Sequence, residues 1–342
     1  MAVDAAVAKD DLVIPLIDFS SFLSGDAASK KATAQAVLEG FQGAGFIYLK
    51  NHGISPDTVS TVFSNSAKFF ARSSQQKDAL AWYSPEANRG YTAQGREKVT
   101  DLDNVDDVAA LREQVPDLKE SLEIGRDDEE GMPNLWPATE GDDEAKVFKE
   151  VMLKFFDTCK GLHMQVMRAI ALGMGIEESW FDGFTDEGDN TLRLLHYPGV
   201  PKSVFKRNDG QLQVRAGEHS DYGSITLLFQ DDRGGLQVKS PQGTFVDATP
   251  IPGTIVINAG DLLARWSNDT IKSTKHRVVE PPPKKDTDGA DSYPPRYSIA
   301  YFCNPNFKRM IEAIPGTYEA AGKKYEGIQS GEYIVRRLTA TY

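Results

Sequence analysis

Cysteine is nearly missing from this chain: Cys159 and Cys303 are the two among 342 residues. They lie far apart and outside any metal-ligand spacing. A disulfide scaffold and a thiolate zinc site are therefore excluded, and each thiol is expected to pack as a small apolar group in a reducing compartment. Positive charge is short as well. Lys and Arg number 38 against 50 Asp and Glu, a net charge of −12, which argues against a nucleic-acid partner, since that would want a basic stripe. No run approaches the ~18 apolar residues of a membrane span. Residues 1–11 carry acids and one Lys, unlike a signal or transit peptide. Repeats and low-complexity tracts are absent, and nothing signals a protein partner. A cytoplasmic protein is the expectation.

What is present divides the chain into two styles. Apolar content of 40% and charged content of 26% are ordinary for a folded domain. The first half is mixed and mostly helical. Val13–Phe19 and Gly45–Leu49 read as short apolar strands, the second ended by Asn51-His52-Gly53. From about Asp26, the residues Ala34, Val37, Leu38 and Phe41 recur at helical spacing. Ser55-Pro56 supplies an N-cap and a first-turn proline for a helix that buries Val59, Val62, Phe63, Ala67 and Phe70. From Asp143 to about Gly173, Val151, Phe155, Cys159, Leu162 and Val166 fall at spacings of four and three, which predicts a long spine helix.

After Leu192 the pattern changes to short β-type runs divided by Gly, Pro, Asn and Asp: 192–197, 225–229, 235–238, 244–246, 254–257, 276–279 and 297–302. That rhythm predicts an antiparallel double-sheet jelly roll with a site at its mouth. The segment from Pro281 to Asp291 reads as an exposed loop. The expected class is α+β, mainly β: a double-stranded β-helix (jelly-roll) core flanked by helices. No linker interrupts it. Residues 1–142 are read as an amino-terminal mixed α/β region, 143–190 as the spine helix and 191–342 as the core, all one structural unit.

Five histidines allow each to be weighed. His52 sits in a turn, where a surface or capping role suffices. His163 stands in the spine helix without a ligand-type neighbour, and His196 beside Tyr197-Pro198 suits packing. His219 and His276 differ. His219 and Asp221 are two apart, which puts both on one face of an extended strand. His276 opens the apolar run His-Arg-Val-Val, where an unpartnered imidazole is costly. Two imidazoles and one carboxylate can occupy one face of a metal and leave the other open, the arrangement of non-haem Fe(II) oxygenases. Zinc hydrolases also use two His and a carboxylate, but with His-Glu-x-x-His on a helix. That pattern is absent, and Glu218 is expected to point away from His219. Downstream, Arg296-Tyr297-Ser298 puts a guanidinium and a hydroxyl on one side of a strand, which suits an anionic carboxylate. A zinc hydrolase leaves Arg296 without a task.

At these residues the sequence resembles the Fe(II)- and 2-oxoglutarate-dependent dioxygenases of the isopenicillin-N-synthase-like group, along nearly its whole length. Ile14–Asp18 and Gly45–Ile54 are similar to the amino-terminal region of that group. Gly217–Gly223 with Leu227, Gly235–Val238, Asn258–Asp261 and Lys272–Arg277 are similar to its core. Ala87–Tyr91, Leu192–Pro198 and Arg296–Asn306 resemble a fungal branch that oxidises a free pyrimidine base. Two departures stand out. Leu195 replaces the Asn that many plant members have in an Asn-Tyr-Tyr-Pro run, so that polar contact must be absent or replaced. Lys206–Gln213 is longer than expected on its approach to the metal strand.

The resemblance implies His219, Asp221 and His276 as Fe(II) ligands. It implies Arg296 and Ser298 as the clamp on the far carboxylate of 2-oxoglutarate, with the Tyr197 hydroxyl assisting. Arg193, Tyr222 and Phe302 are implied as substrate-pocket residues; aromatic faces and an Arg donor suit a flat heterocycle. The implied reaction consumes O2 and 2-oxoglutarate, releases succinate and CO2, and hydroxylates the methyl group of thymine, with formyl and carboxyl products on further turnover. Ascorbate is an implied stimulant. Three alternatives stay open at this point. One is a fungal oxygenase of a secondary metabolite on the same fold. Another is a member that uses no 2-oxoglutarate, since isopenicillin N synthase also has Arg-x-Ser. The last is a catalytically silent metal-binding or scaffold protein.

Overall fold

Two sheets of unequal size face each other, and the difference between their strands decides where the cavity lies. The computed structural model describes residues 4–97, 116–127, 129–206, 213–284, 289–320 and 322–341. The large sheet runs, in space, β1 (Asp4–Lys9), β2 (Leu12–Asp18), β3 (Phe46–Lys50), β12 (Thr254–Ala259), β9 (Ile225–Gln230), β15 (Arg296–Cys303), β6 (Thr191–Tyr197), β5 (Glu120–Ile124) and β4 (Gly90–Thr92). The small sheet runs β11 (Phe245–Asp247), β10 (Leu236–Lys239), β13 (His276–Val278) and β8 (Ala216–His219). A two-strand ribbon joins β7 (Val200–Pro201) to β14 (Ser292–Tyr293). Neighbours in the two main sheets are antiparallel except β2 and β3. This is the jelly-roll fold with helices on its outer side. The amino-terminal region contributes five of the nine strands of the large sheet, so residues 1–142 and 191–342 share one sheet.

The helices begin where their caps stand. α1 (Ala27–Gly43) is capped by Asp26, which accepts from the Ser29 N–H. α2 (Pro56–Phe70) is capped by Ser55 through the Thr58 N–H, with Pro56 in its first turn. α3 (Asp143–Gly173), the 31-residue spine, is capped by Asp142. α4 (Asp261–Trp266) and α5 (Ser330–Thr341) complete the set used below. Strands β6, β9, β10, β11, β12, β13 and β15 lie within two residues of the sequence expectation at each end. The sequence reading contained no α5, β4 or β5.

Period-two alternation sorts the large sheet into two faces. On the outer face, Ile225, Leu227, Phe229, Ile299, Tyr301 and Cys303 pack against α3 within one apolar cluster. The Phe155 and Phe229 rings meet edge-on at 5.2 Å, and Phe156 and Tyr301 at 5.1 Å. Cys159 and Cys303 are buried here and unpaired, their thiols pushed up by burial. On the inner face, Leu195, Tyr197, Leu228, Val256, Ala300 and Phe302 join Ala216, Leu236, Val238 and Val278 of the small sheet. Polar residues interrupt that inner core, and their positions mark the site. Among the described residues no helix is long and apolar enough to cross a membrane.

Phe155 is 1% exposed and anchors the spine to β9. Phe155→Ala is expected to cost about 3–5 kcal/mol through lost burial and a residual cavity, read as a lower denaturant midpoint at unchanged slope.

Candidate active site

β8 and β13 are antiparallel neighbours, and His219 stands opposite His276 in their register. Their ring centroids are 4.2 Å apart. Asp221 Oδ1 lies 3.8 Å from Nε2 of each histidine. One donor atom from each of the three residues can be chosen so that all lie within 4.8 Å of one another; among the described residues no other such cluster of His, Cys, Asp or Glu occurs. His219 Nδ1 lies 2.7 Å from the Gly217 carbonyl and His276 Nδ1 3.4 Å from that of Thr274. With the ring proton on Nδ1, each Nε2 keeps its lone pair for a metal. Asp221 Oδ2 accepts from Thr226 Oγ1 at 2.5 Å and Asn258 Nδ2 at 2.7 Å, which leaves Oδ1 facing the imidazoles.

Two imidazole nitrogens and one carboxylate oxygen on one side of a hollow fit a divalent iron with an open face. Burial and the neighbouring His276 push His219 down to about 4, so its imidazole is unprotonated at neutral pH, as a ligand must be. Burial alone would raise the Asp221 carboxyl. The facing imidazoles and the Thr226 and Asn258 hydrogen bonds outweigh it and hold the group below its ordinary value.

One expectation about this trio is corrected. His219 and Asp221 do not share a strand face, because β8 ends at His219 and Asp221 lies in the turn beyond. Backbone bonds aim the carboxylate instead: Asp261 N–H donates to the Asp221 carbonyl at 2.8 Å, and Leu262 N–H to that of Tyr222 at 3.1 Å. Asp261 also accepts from Ser220 and from Ser273, tying the turn to the segment that leads into His276. Gly223 makes this packing possible, since a Cβ there would collide with the Cys303 carbonyl and the Asn304 side-chain oxygen. Glu218 faces away, paired to Lys239 at 2.7 Å.

The same cavity ends at Arg296, Ser298 and Tyr197. Arg296 is 1% exposed. It donates to Ser298 Oγ at 3.2 Å and Gln230 Oε1 at 3.4 Å, and lies 4.8 Å over the Tyr197 ring. Arg215, equally buried, stands 5.9 Å from that ring. Burial and the nearby Arg296 push it down to about 10. Among the described residues neither guanidinium makes an ion pair, and Arg296 Nε and Arg215 Nη1 have no hydrogen-bond partner. Buried cations without an ion-pair contact are costly. A carboxylate is the kind of group that would complete them.

Arg193, Phe302 and Tyr222 line the opposite part of the cavity. The Arg193 guanidinium lies 5.3 Å over the Phe302 ring and pairs with Glu97 at 3.0 Å and Glu123 at 2.7 Å. Phe302 shares its strand face with Ser298, as period two requires. The Tyr222 hydroxyl bonds Thr341 at 2.8 Å, and Arg337 stacks 4.5 Å over its ring. The other histidines serve structure. His52 accepts from the Ile54 N–H at 3.3 Å, His163 meets Ser224 Oγ at 3.2 Å inside the core, and His196 contacts Glu120 at 2.7 Å and stacks on Tyr297.

Comparison with known proteins agrees with this geometry. Residues 14–139 match a family model described as the non-haem dioxygenase in morphine synthesis N-terminal region, and 188–305 match the 2OG-Fe(II) oxygenase superfamily. A 2-oxoglutarate-Fe(II) type oxidoreductase of Metarhizium rileyi is 34% identical over 95% of this chain and 90% of its own length. The chain belongs to the 2OG-Fe(II) oxygenase superfamily. It is a 2-oxoglutarate-dependent dioxygenase that uses Fe(II). Among solved structures, Neurospora crassa thymine 7-hydroxylase with α-ketoglutarate and thymine is 64% identical, with a TM-score of 0.90 over 99% of this chain and 100% of that one. The same enzyme with α-ketoglutarate and 5-formyluracil is 61% identical, with a TM-score of 0.88 over 99% of each chain.

The oxygenase cavity also holds residues that sequence reasoning missed. Asn258 was visible inside Asn258–Asp261 but without a role. Ile334, Leu338 and Thr341 of α5 line the cavity, and their spacing of four and three was a usable signal. Glu97, Lys119 and Arg215 carried none, because each acquires its neighbours only from segments distant in sequence. Of the long segment Lys206–Gln213, residues 207–212 lie outside the described residues.

Gly223→Ala is expected to displace the Asp221 turn and weaken Fe(II) uptake by roughly 10–100-fold, the scale of lost support to a metal ligand. Metal titration of the purified apoprotein checks it, with retained circular dichroism as the control.

Proposed function

We propose that this oxygenase hydroxylates the methyl group of thymine to 5-hydroxymethyluracil and carries it on to 5-formyluracil and 5-carboxyuracil. Each turnover consumes O2 and 2-oxoglutarate and releases succinate and CO2. The observation that carries the reading is the 61–64% identity, over 99% of the chain, to an enzyme held in crystals with thymine and with 5-formyluracil. The curated fungal oxygenases match at lower identity, 34% and 31% in two cases. They support a different small molecule as the second reading.

In this proposal His219, Asp221 and His276 hold Fe(II), supported by the convergence of their donor atoms. Iron with 2-oxoglutarate and O2 supplies the oxidising power for the C–H bond. The chain's own share is placement. Arg296 and Ser298 hold the distal carboxylate of 2-oxoglutarate with the Tyr197 hydroxyl assisting, and the buried charge of Arg215 strengthens that socket. Holding one end fixes which way the cosubstrate faces. Arg193, Tyr222 and Phe302 frame the pyrimidine, and α5 covers them from water. A free-base substrate and two buried, unpaired thiols support a cytoplasmic setting and a role in pyrimidine salvage.

Thymine is expected to stimulate succinate release; failure to do so, with another compound active, transfers the reading to that compound. His276→Ala is expected to lose turnover with its iron. Arg296→Ala keeps iron but needs about 10–100-fold more 2-oxoglutarate, the worth of a buried charge-assisted hydrogen bond. Metal analysis beside 2-oxoglutarate titration separates the two. In steady-state kinetics Phe302→Ala is expected to raise the KM for thymine roughly tenfold, beyond any change for 2-oxoglutarate, on the scale of lost aromatic stacking.

A further inference from the structure

Three charged side chains with no part in holding iron or 2-oxoglutarate meet on the cavity wall. Glu97, Lys119 and Arg193 line it together and are 4%, 4% and 8% exposed. Lys119 Nζ lies 2.5 Å from Glu97 Oε2, and Arg193 Nη1 lies 3.0 Å from Glu97 Oε1. Burial would raise the Glu97 carboxyl, but the two cations pull it down to about 2, so it is an anion at neutral pH. Behind them, Glu123 braces Arg193 and accepts from the Ser121 hydroxyl at 2.7 Å. The wall therefore offers a cationic donor, an anionic acceptor and a second cationic donor, held in that order.

We propose that this trio reads the imide edge of the pyrimidine. Lys119 and Arg193 donate to the two ring carbonyls, and Glu97 accepts the N–H between them. The inference rests on the thymine reading and adds what selects the oxo form of the ring. A 2,4-dioxopyrimidine presents acceptor, donor and acceptor along that edge, complementary to the wall at all three positions. 5-Methylcytosine carries the same methyl on the same ring but presents an amino donor and an unprotonated ring nitrogen. Its amino group meets a cation, and its nitrogen lone pair meets the Glu97 anion. The Phe302 ring, 5.3 Å beneath the Arg193 guanidinium, steadies that donor from below. Buried polar groups left unpaired discriminate strongly, up to about 10⁴–10⁵-fold in sites built to hydrogen-bond their substrate.

The test uses full-length enzyme loaded anaerobically with Fe(II) and 2-oxoglutarate, titrated calorimetrically with thymine, uracil and 5-methylcytosine. The wild type is expected to bind thymine and uracil, and 5-methylcytosine at least about 100-fold more weakly. Glu97→Gln keeps the shape but replaces one oxygen with a donor. It is expected to weaken thymine about 10–100-fold and to narrow the thymine-to-5-methylcytosine ratio at least tenfold, with 2-oxoglutarate affinity unchanged. Lys119→Met should weaken thymine on a similar scale. A Glu97→Gln enzyme that takes 2-oxoglutarate normally and keeps the wild-type ratio overturns the proposal. If Glu97→Gln does not take up 2-oxoglutarate, Lys119→Met decides, and unchanged thymine affinity there overturns it. A wild type that binds none of the three pyrimidines sinks the thymine reading itself, and this inference with it.

Discussion

The cavity depends on one closure between the two sheets. The small sheet delivers two imidazoles from neighbouring strands, His219 opposite His276. The large sheet holds the carboxylate that faces them, through Thr226 of β9 and Asn258 of β12, themselves a register pair. Neither sheet carries a complete donor set. Their separation, set by the inner apolar core between them, therefore sets the size of the metal site. The Asp221 turn works as the clasp, and its lack of room for a Cβ at Gly223 shows how tightly it is drawn.

Two groups of buried cations border the same hollow and differ in one respect. Arg296 and Arg215 make no ion pair among the described residues, whereas Lys119 and Arg193 are each neutralised by Glu97, with Glu123 behind. Uncompensated charge in a low-dielectric wall attracts an anion; compensated charge offers directional hydrogen bonds to a neutral ring. The proposed division of the cavity, dicarboxylate at one end and heterocycle at the other, follows from that difference. The reaction needs both ligands at once in fixed relation, and two chemically distinct ends keep each from entering the other's place.

Much of this was legible in the chain itself, because the responsible signals are local. The cap at Ser55 announces a helix, and its side chain performs that role through a hydrogen bond three residues away; the structure shows Asp26 and Asp142 capping two more in the same way. Alternation in β15 puts Arg296, Ser298 and Phe302 on one face whatever the rest of the chain does. α5 was overlooked although its cavity residues keep helical spacing. Its polar composition hides the pattern until Tyr222 and the cavity mouth supply something to cover. The strand argument for His219 and Asp221 reached the right pair by the wrong geometry. A turn held by the Asp261 backbone, remote in sequence, aims the carboxylate.

By itself, then, the sequence determined the kinds of chemistry available: two imidazoles and a carboxylate in suitable context, an arginine with a hydroxyl on its strand face, and strands enough to enclose them. Periodicity and capping act over a few residues, so they survive without a fold. Tertiary structure alone decided which charges are paired. Arg215, Arg193, Lys119 and Glu97 are unremarkable in the chain. They become a bare cationic socket and a braced polar edge only where strands distant in sequence bring them together out of water, since burial and partnership belong to the assembled sheets rather than to any segment.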